Sequence, residues 1–146
     1  LSNTRWRFAS DQAVLNRLSD APTARYTAAY QLPDDWLMTH AVTVRDTPVE
    51  YQTYGDKIYA NEDETSDVVL DYTFRVDEVY WPSYFSVALE LELARVFAFS
   101  IAIDAPLANL MAEQANIAMM KARTTDSQQQ TTRKLNTSRF ITQRRS

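Results

Sequence analysis

The chain has 146 residues, of which 45% are hydrophobic, with no Cys, one Gly and one His, and a formal net charge of −4. This is enough for one domain of ordinary size and too apolar for a chain disordered throughout; disulfides, thiolate nucleophiles, a glycine-rich phosphate loop and a multi-histidine metal site are excluded. The net charge hides a division: residues 1–120 hold 8 basic and 18 acidic residues, whereas residues 121–146 hold 7 basic residues against Asp126 alone. An acidic body with a basic tail argues for contact between complementary surfaces.

The first residue is Leu1 rather than Met, and Trp6 and Phe8 follow almost at once, so the start reads as a cut into a longer polypeptide. No signal-like run leads the chain, and no stretch reaches the ~20 apolar residues of a membrane span. Trp6 and Phe8 are expected to cover the core from an extended or helix-end segment. Ala13, Val14 and Leu18 fit a short helical stripe. A break at residues 20–23 leads into an aromatic-rich stretch with Tyr26 and Tyr30. Leu32-Pro33-Asp34-Asp35 then reads as a turn that Trp36 and Leu37 anchor to the core.

From Ala41 the period changes to two. Val42 and Val44 form one strand, with a turn at Asp46-Thr47, and Val49 and Tyr51 form the next. Gly55-Asp56 makes a second turn before a short strand at Ile58-Tyr59. After the acidic loop at residues 61–67, Leu70, Tyr72 and Phe74 alternate with Asp71, Thr73 and Arg75. The expectation is a small antiparallel β-meander at about 41–75, with a polar face in water.

The period then lengthens to that of a helix. Trp81-Pro82-Ser83 opens a helix over 83–102, with Phe85, Ala88, Leu89, Leu93, Val96, Phe97 and Ile101 spaced three and four apart. Val87, Leu91 and Phe99 widen the stripe, which predicts a helix covered on more than one side. Asp104 can cap a second helix over 105–123, with Pro106 in its first turn. The two helices are expected to form an antiparallel hairpin carrying the main core, with Leu93 buried in it. Beyond Thr124 the chain is too polar to make a core, and Leu135, Phe140 and Ile141 are isolated apolar points among basic residues. The fold class is α+β: a helical bundle with a long antiparallel helix hairpin, the β-meander, and an extended basic C-terminal arm. The body spans 1–127 and the arm 128–146.

Groups able to do chemistry are present without a setting for it. Asp34/Asp35, Asp77/Glu78 and Glu62, Asp63 and Glu64 are adjacent acids in turns and loops, where water meets them before a substrate does. Glu90 and Glu92, two apart on a helix, do not share a narrow face. The acidic loop lacks the alternation and glycine of a calcium site. His40 stands alone before a strand, and no Ser lies in a nucleophile elbow. The expectation is no catalytic residue, no metal and no cofactor. The rival to a structural role is DNA binding or service as a packaging accessory, with the basic tail on phosphates and Phe140 stacked on a base. The acidic body would repel a duplex, and favours the next identical copy as the tail's partner.

The order of several motifs resembles the tail tubular protein A family, the head-to-tail adaptors of short-tailed phages. Trp6-Arg7-Phe8-Ala9 and Tyr30-Gln31-Leu32-Pro33-Asp34-Asp35 look like that family's W-x-F-A and Y-x-L-P-x-D signature. A strand pair around Gly55-Asp56, a strand containing Leu70-Asp71-Tyr72, and Trp81-Pro82-Ser83-Tyr84-Phe85 at a helix start follow in the family's order. The end of the chain, with Arg139, Phe140, Arg144 and Arg145, is similar to its arginine-bearing arm. Glu90 and Glu92 depart from the pattern, which favours small or neutral residues there. The resemblance implies a structural protein of the virion, placed at the head–tail junction and assembled in the host cytoplasm. Identical copies would form a dodecameric ring around the channel of DNA ejection, without sequence-specific recognition of the DNA. The partners implied are the portal protein and a tail nozzle or stopper protein, with no membrane. Leu135, Arg139, Phe140, Ile141, Arg144 and Arg145 would form the arm that binds the portal or a neighbouring copy.

Overall fold

A computed structural model describes residues 4–103 and 105–129, apart from the side chain of Ala102. The fold is mixed α+β, with two helices and two small antiparallel sheets. A single 3-10 turn, Arg7–Ala9, leads into β1 (Ser10–Val14). The strands that follow are β2 (Ala28–Gln31), β3 (Trp36–Val44), β4 (Thr47–Pro48), β5 (Tyr51–Tyr54), β6 (Lys57–Ala60) and β7 (Val68–Phe74). One sheet has the order β1-β7-β3-β4, the other β2-β6-β5.

The expected meander at 41–75 is therefore divided. β3, β4 and β7 join one sheet and β5 and β6 the other, and each sheet recruits a strand from the first 31 residues. The predicted helical stripe at Ala13, Val14 and Leu18 is overturned for the same reason. Ala13 and Val14 pair with Leu70 and Val69 in a ladder. Leu15 and Leu18 then donate backbone N–H groups to Val68 and Ala29, carrying the chain from one sheet to the other. The turn before β3 is present, closed by Trp36 N–H on the Pro33 carbonyl, and Trp36 packs against the core as expected, whereas Leu37 is exposed.

Both hairpin loops have two residues. Arg45 and Asp46 both have positive φ, as the twist of a tight hairpin demands, so the turn lies one residue earlier than the expected Asp46-Thr47. Gly55-Asp56 forms the other loop, with Gly55 at φ 60°.

The main core lies between the two sheets. β7 buries Val68, Leu70 and Tyr72 at alternate positions, and these meet Val42, Ile58, Ala60, Ala28, Tyr30 and Leu32. The expectation that the helix hairpin carries the main core is thus corrected. α1 (Ser83–Phe97) runs into a π turn at Ala98–Ala102, and α2 spans Ala105–Gln128, five residues past its predicted end. Asp104, the expected cap, is outside the described residues. The helices are antiparallel neighbours: Tyr84 at the start of α1 hydrogen-bonds Asp126 near the end of α2.

Candidate interaction surface

The seam between the helices is built from small side chains. Ala88 and Ala98 are buried on one side of it, and Ala108, Ala115 and Ala122 on the other. The three α2 alanines recur every seven residues, so the same face returns toward α1 every two turns. Many of the large apolar residues are left outside: Val87, Leu93, Val96 and Phe97 on the first helix, and Leu110, Ile117 and Met120 on the second, are exposed, while Phe85 and Met119 pack inward. A surface helix normally does the reverse. Leu93, expected to be buried, is 45% exposed, because the alanine seam brings the backbones together and leaves it no place between them. Scattered apolar residues on a surface are ordinary, whereas many on one pair of helices make a candidate contact surface.

One side of the seam is closed at its base. Trp6 and Ala9 are buried there with Ala88 and Ala122, and Phe8 packs against the same group. Trp6 meets the Phe85 ring edge-on at 5.1 Å, Phe8 lies 4.9 Å from Phe85, and Trp81 lies 5.3 Å from it. The indole N–H of Trp81 is held by the Val76 carbonyl. The seam is also open in two grooves, of about 480 and 440 Å³. The first is lined by Tyr84, Val87 and Leu91 with Gln114, Ala118, Lys121 and Thr125; the second by Ala94, Ala98 and Ile101 with Leu107 and Met111. At the hairpin tip Phe99 and Ile103 are 72% and 86% exposed. Ile103 also has φ 48°, an uncommon backbone conformation for a β-branched residue.

The base is locked by a carboxylate that sequence reading assigned to a polar tail. Asp126 is only 3% exposed. Its two oxygens accept hydrogen bonds from the Tyr84 hydroxyl at 2.8 Å and the Arg7 backbone N–H at 2.7 Å. Burial, and then the hydrogen bond to the Asp126 carboxylate and its charge, pushes the Tyr84 hydroxyl up to about 12. The signal was present in sequence: Asp126 lies one turn past Ala122, on the seam face of α2.

The residues singled out from sequence fall into three groups. Trp6, Phe8, Trp81, Pro82 and Phe85 meet at the junction of the N-terminal segment with α1. Tyr30 and Leu32 are buried between the sheets. Pro33 and Asp35 shape the entry to β3, where Asp35 accepts from Arg75 N–H and, at 3.3 Å, from the Tyr72 hydroxyl. Leu135, Arg139, Phe140, Ile141, Arg144 and Arg145 lie outside the described residues. His40 Nε2 is 2.7 Å from the Thr73 hydroxyl, and burial lowers its pKa. Glu92 forms an ion pair with Arg95 along α1, while Glu90 is exposed. Among the described residues no group of three or more His, Cys, Asp or Glu could hold a metal ion. No protein-family model matches the chain, and no curated protein matches its sequence.

Proposed function

We propose that the chain is a non-catalytic structural subunit of a phage particle: a head-to-tail adaptor whose copies form a ring between portal and tail and line the DNA exit channel. The observation that carries this reading is the inverted helix hairpin, with alanines inside and Val, Leu, Ile, Phe and Met outside. A subunit that works alone gains nothing by exposing such a surface, whereas one that assembles buries it against neighbours and stabilises the assembly. The finer description of the fold as a helical bundle belongs to that assembled state, in which neighbouring copies supply the missing helices. The motif order around Trp6, Tyr30 and Trp81 supports the same reading, and the acidic body with its basic end provides two complementary surfaces on one chain.

In this reading the portal and a tail nozzle or stopper protein are the ring's two neighbours, and residues 128–146 bind the portal or the next copy. Charge alone does not hold such an arm, since exposed ion pairs contribute only ~0–1 kcal/mol each. Phe140 is therefore the main anchor, with Arg139, Arg144 and Arg145 setting its register. Co-sedimentation of full-length protein and a variant lacking residues 128–146 with purified portal rings is the test. Retention of the full chain and loss of the truncated one is expected. Equal binding by both removes the arm from the mechanism. Failure of both to bind portal, together with salt-sensitive retention on DNA, replaces the adaptor by a DNA-binding or packaging accessory protein.

A further inference from the structure

The two grooves on the hairpin are successive parts of one trough. Their lining positions on the first helix and its π turn include 84, 87, 91, 94, 98 and 101, three and four residues apart, with 83 and 97 beside them. Those on α2 include 107, 111, 114, 118, 121 and 125, with the same alternation, and 117 and 122 beside them. This is the register by which helices interlock side chains in a coiled coil. Both helices thus present such a face to the same open side. The stretch from Leu107 to Thr125 is about 27 Å long at ~1.5 Å per residue, long enough to seat helices of this hairpin's own length.

Charge identifies what fits. The Tyr84–Asp126 bond sets the relative level of the two helices. Glu90 stands six residues further along α1, and Lys121 five residues back along α2, so the two lie within about one residue's rise of the same level. Both are exposed, and no ion pair joins them within the chain. One helix of the trough therefore brings an acid and the other a base at the same height. A copy turned about a two-fold axis parallel to the helices lays α1 over the partner's α2, and this places Glu90 opposite the other copy's Lys121 twice.

We propose that the trough is the seat for the trough of a second copy of this chain, the two hairpins closing into an antiparallel four-helix bundle flanked by two Glu90–Lys121 pairs. Val87, Leu91, Ile101, Leu107 and Met111 become its core, and the alanine seams let the four helices approach closely. The contact is isologous and closes at two copies. It is the form taken without portal, in which one copy covers the face that the adaptor reading gives to ring neighbours, and its test requires neither portal nor tail.

The experiment uses the full chain without portal. Sedimentation velocity over a concentration series is expected to show a monomer–dimer equilibrium. Val87→Asp, at an exposed position of the subunit, abolishes the dimer while the circular dichroism spectrum is unchanged. Glu90→Lys and Lys121→Glu each weaken it about tenfold or more, and the double variant restores it. Since the chain has no Cys, a mixture of Glu90→Cys and Lys121→Cys proteins forms a disulfide-linked dimer on mild oxidation, and neither protein does so alone. A monomer at every concentration overturns the proposal. So does a dimer or larger particle that is indifferent to the charge reversals and to the cysteine pair. A dimer that meets these expectations while the full chain fails to co-sediment with portal rings counts against the adaptor reading alone.

Discussion

Asp126 joins three parts of the chain at one carboxylate: α2, on which it sits, the start of α1 through Tyr84, and the N-terminal segment through the Arg7 amide. Replacing it by Ala removes the acceptor of a part-buried hydroxyl and a part-buried N–H, which costs about 1–3 kcal/mol. Asp126→Ala should therefore lower the urea midpoint clearly, and Asp126→Asn, which keeps one carbonyl acceptor, should lower it less. The Tyr84 hydroxyl, raised from 10.0 to about 12, adds a pH dependence. Below pH 10 the phenol is neutral in both states, so its contribution to stability is fully present. As the pH rises from about 10 to about 12 the unfolded chain loses this proton while the folded one keeps it, and stability falls. Tyr84→Phe should flatten the decline of melting temperature over that window, leaving the part due to Tyr30 and Tyr72, whose hydroxyls burial also raises. In sequence Asp126 reads as the one acid in a basic, polar stretch. Its position one turn beyond a seven-residue alanine repeat was the cue, and composition outweighed it.

The sheets and the hairpin differ in how they hold themselves together, and substitutions should separate them. Leu70 is fully buried on the central β7, so Leu70→Ala should cost ~2–5 kcal/mol through lost apolar contact and a residual cavity. Leu93→Ala, by contrast, should change the stability of the isolated subunit by no more than about 0.5 kcal/mol, since Leu93 is largely in water there. Ala115→Leu reverses the usual order of severity. Added methylenes have no room in the seam and should cost ~1–3 kcal/mol, read as a lower urea midpoint. Strand periodicity was legible in β6 and β7, which bury alternate residues, and both hairpin loops were found to within a residue, whereas Val49, read with Tyr51 as one strand, lies between β4 and β5. The first strand was not legible. Ala13 and Val14 suit a ladder or a helix equally well, and only the tertiary pairing with Leu70 and Val69 decides between them. The helix spans were also legible, but their role was misjudged. Hydrophobic spacing reports where apolar residues lie, not whether this chain or another one covers them.

At the scale of the molecule, the aromatic motifs far apart in sequence come together. Trp6 and Phe8 from the N-terminal segment, and Trp81 and Phe85 from the helix start, form one cluster that seats the hairpin on the β-sheet body. The two motifs are the two halves of a joint. The candidate surface itself was half legible, since the extra apolar residues at Val87, Leu91 and Phe99 already called for cover on more than one side. The alanine seam, which decides that this cover comes from outside, emerges only when the helices are paired. The adaptor account is tested most directly by the particle mass, measured by multi-angle light scattering, of the full chain with and without purified portal protein. It predicts that portal rings take up many copies and give one particle heavier than the portal alone, with the chain remaining a small species in portal's absence. Two separate peaks at their individual masses, at protein concentrations well above micromolar, would contradict it.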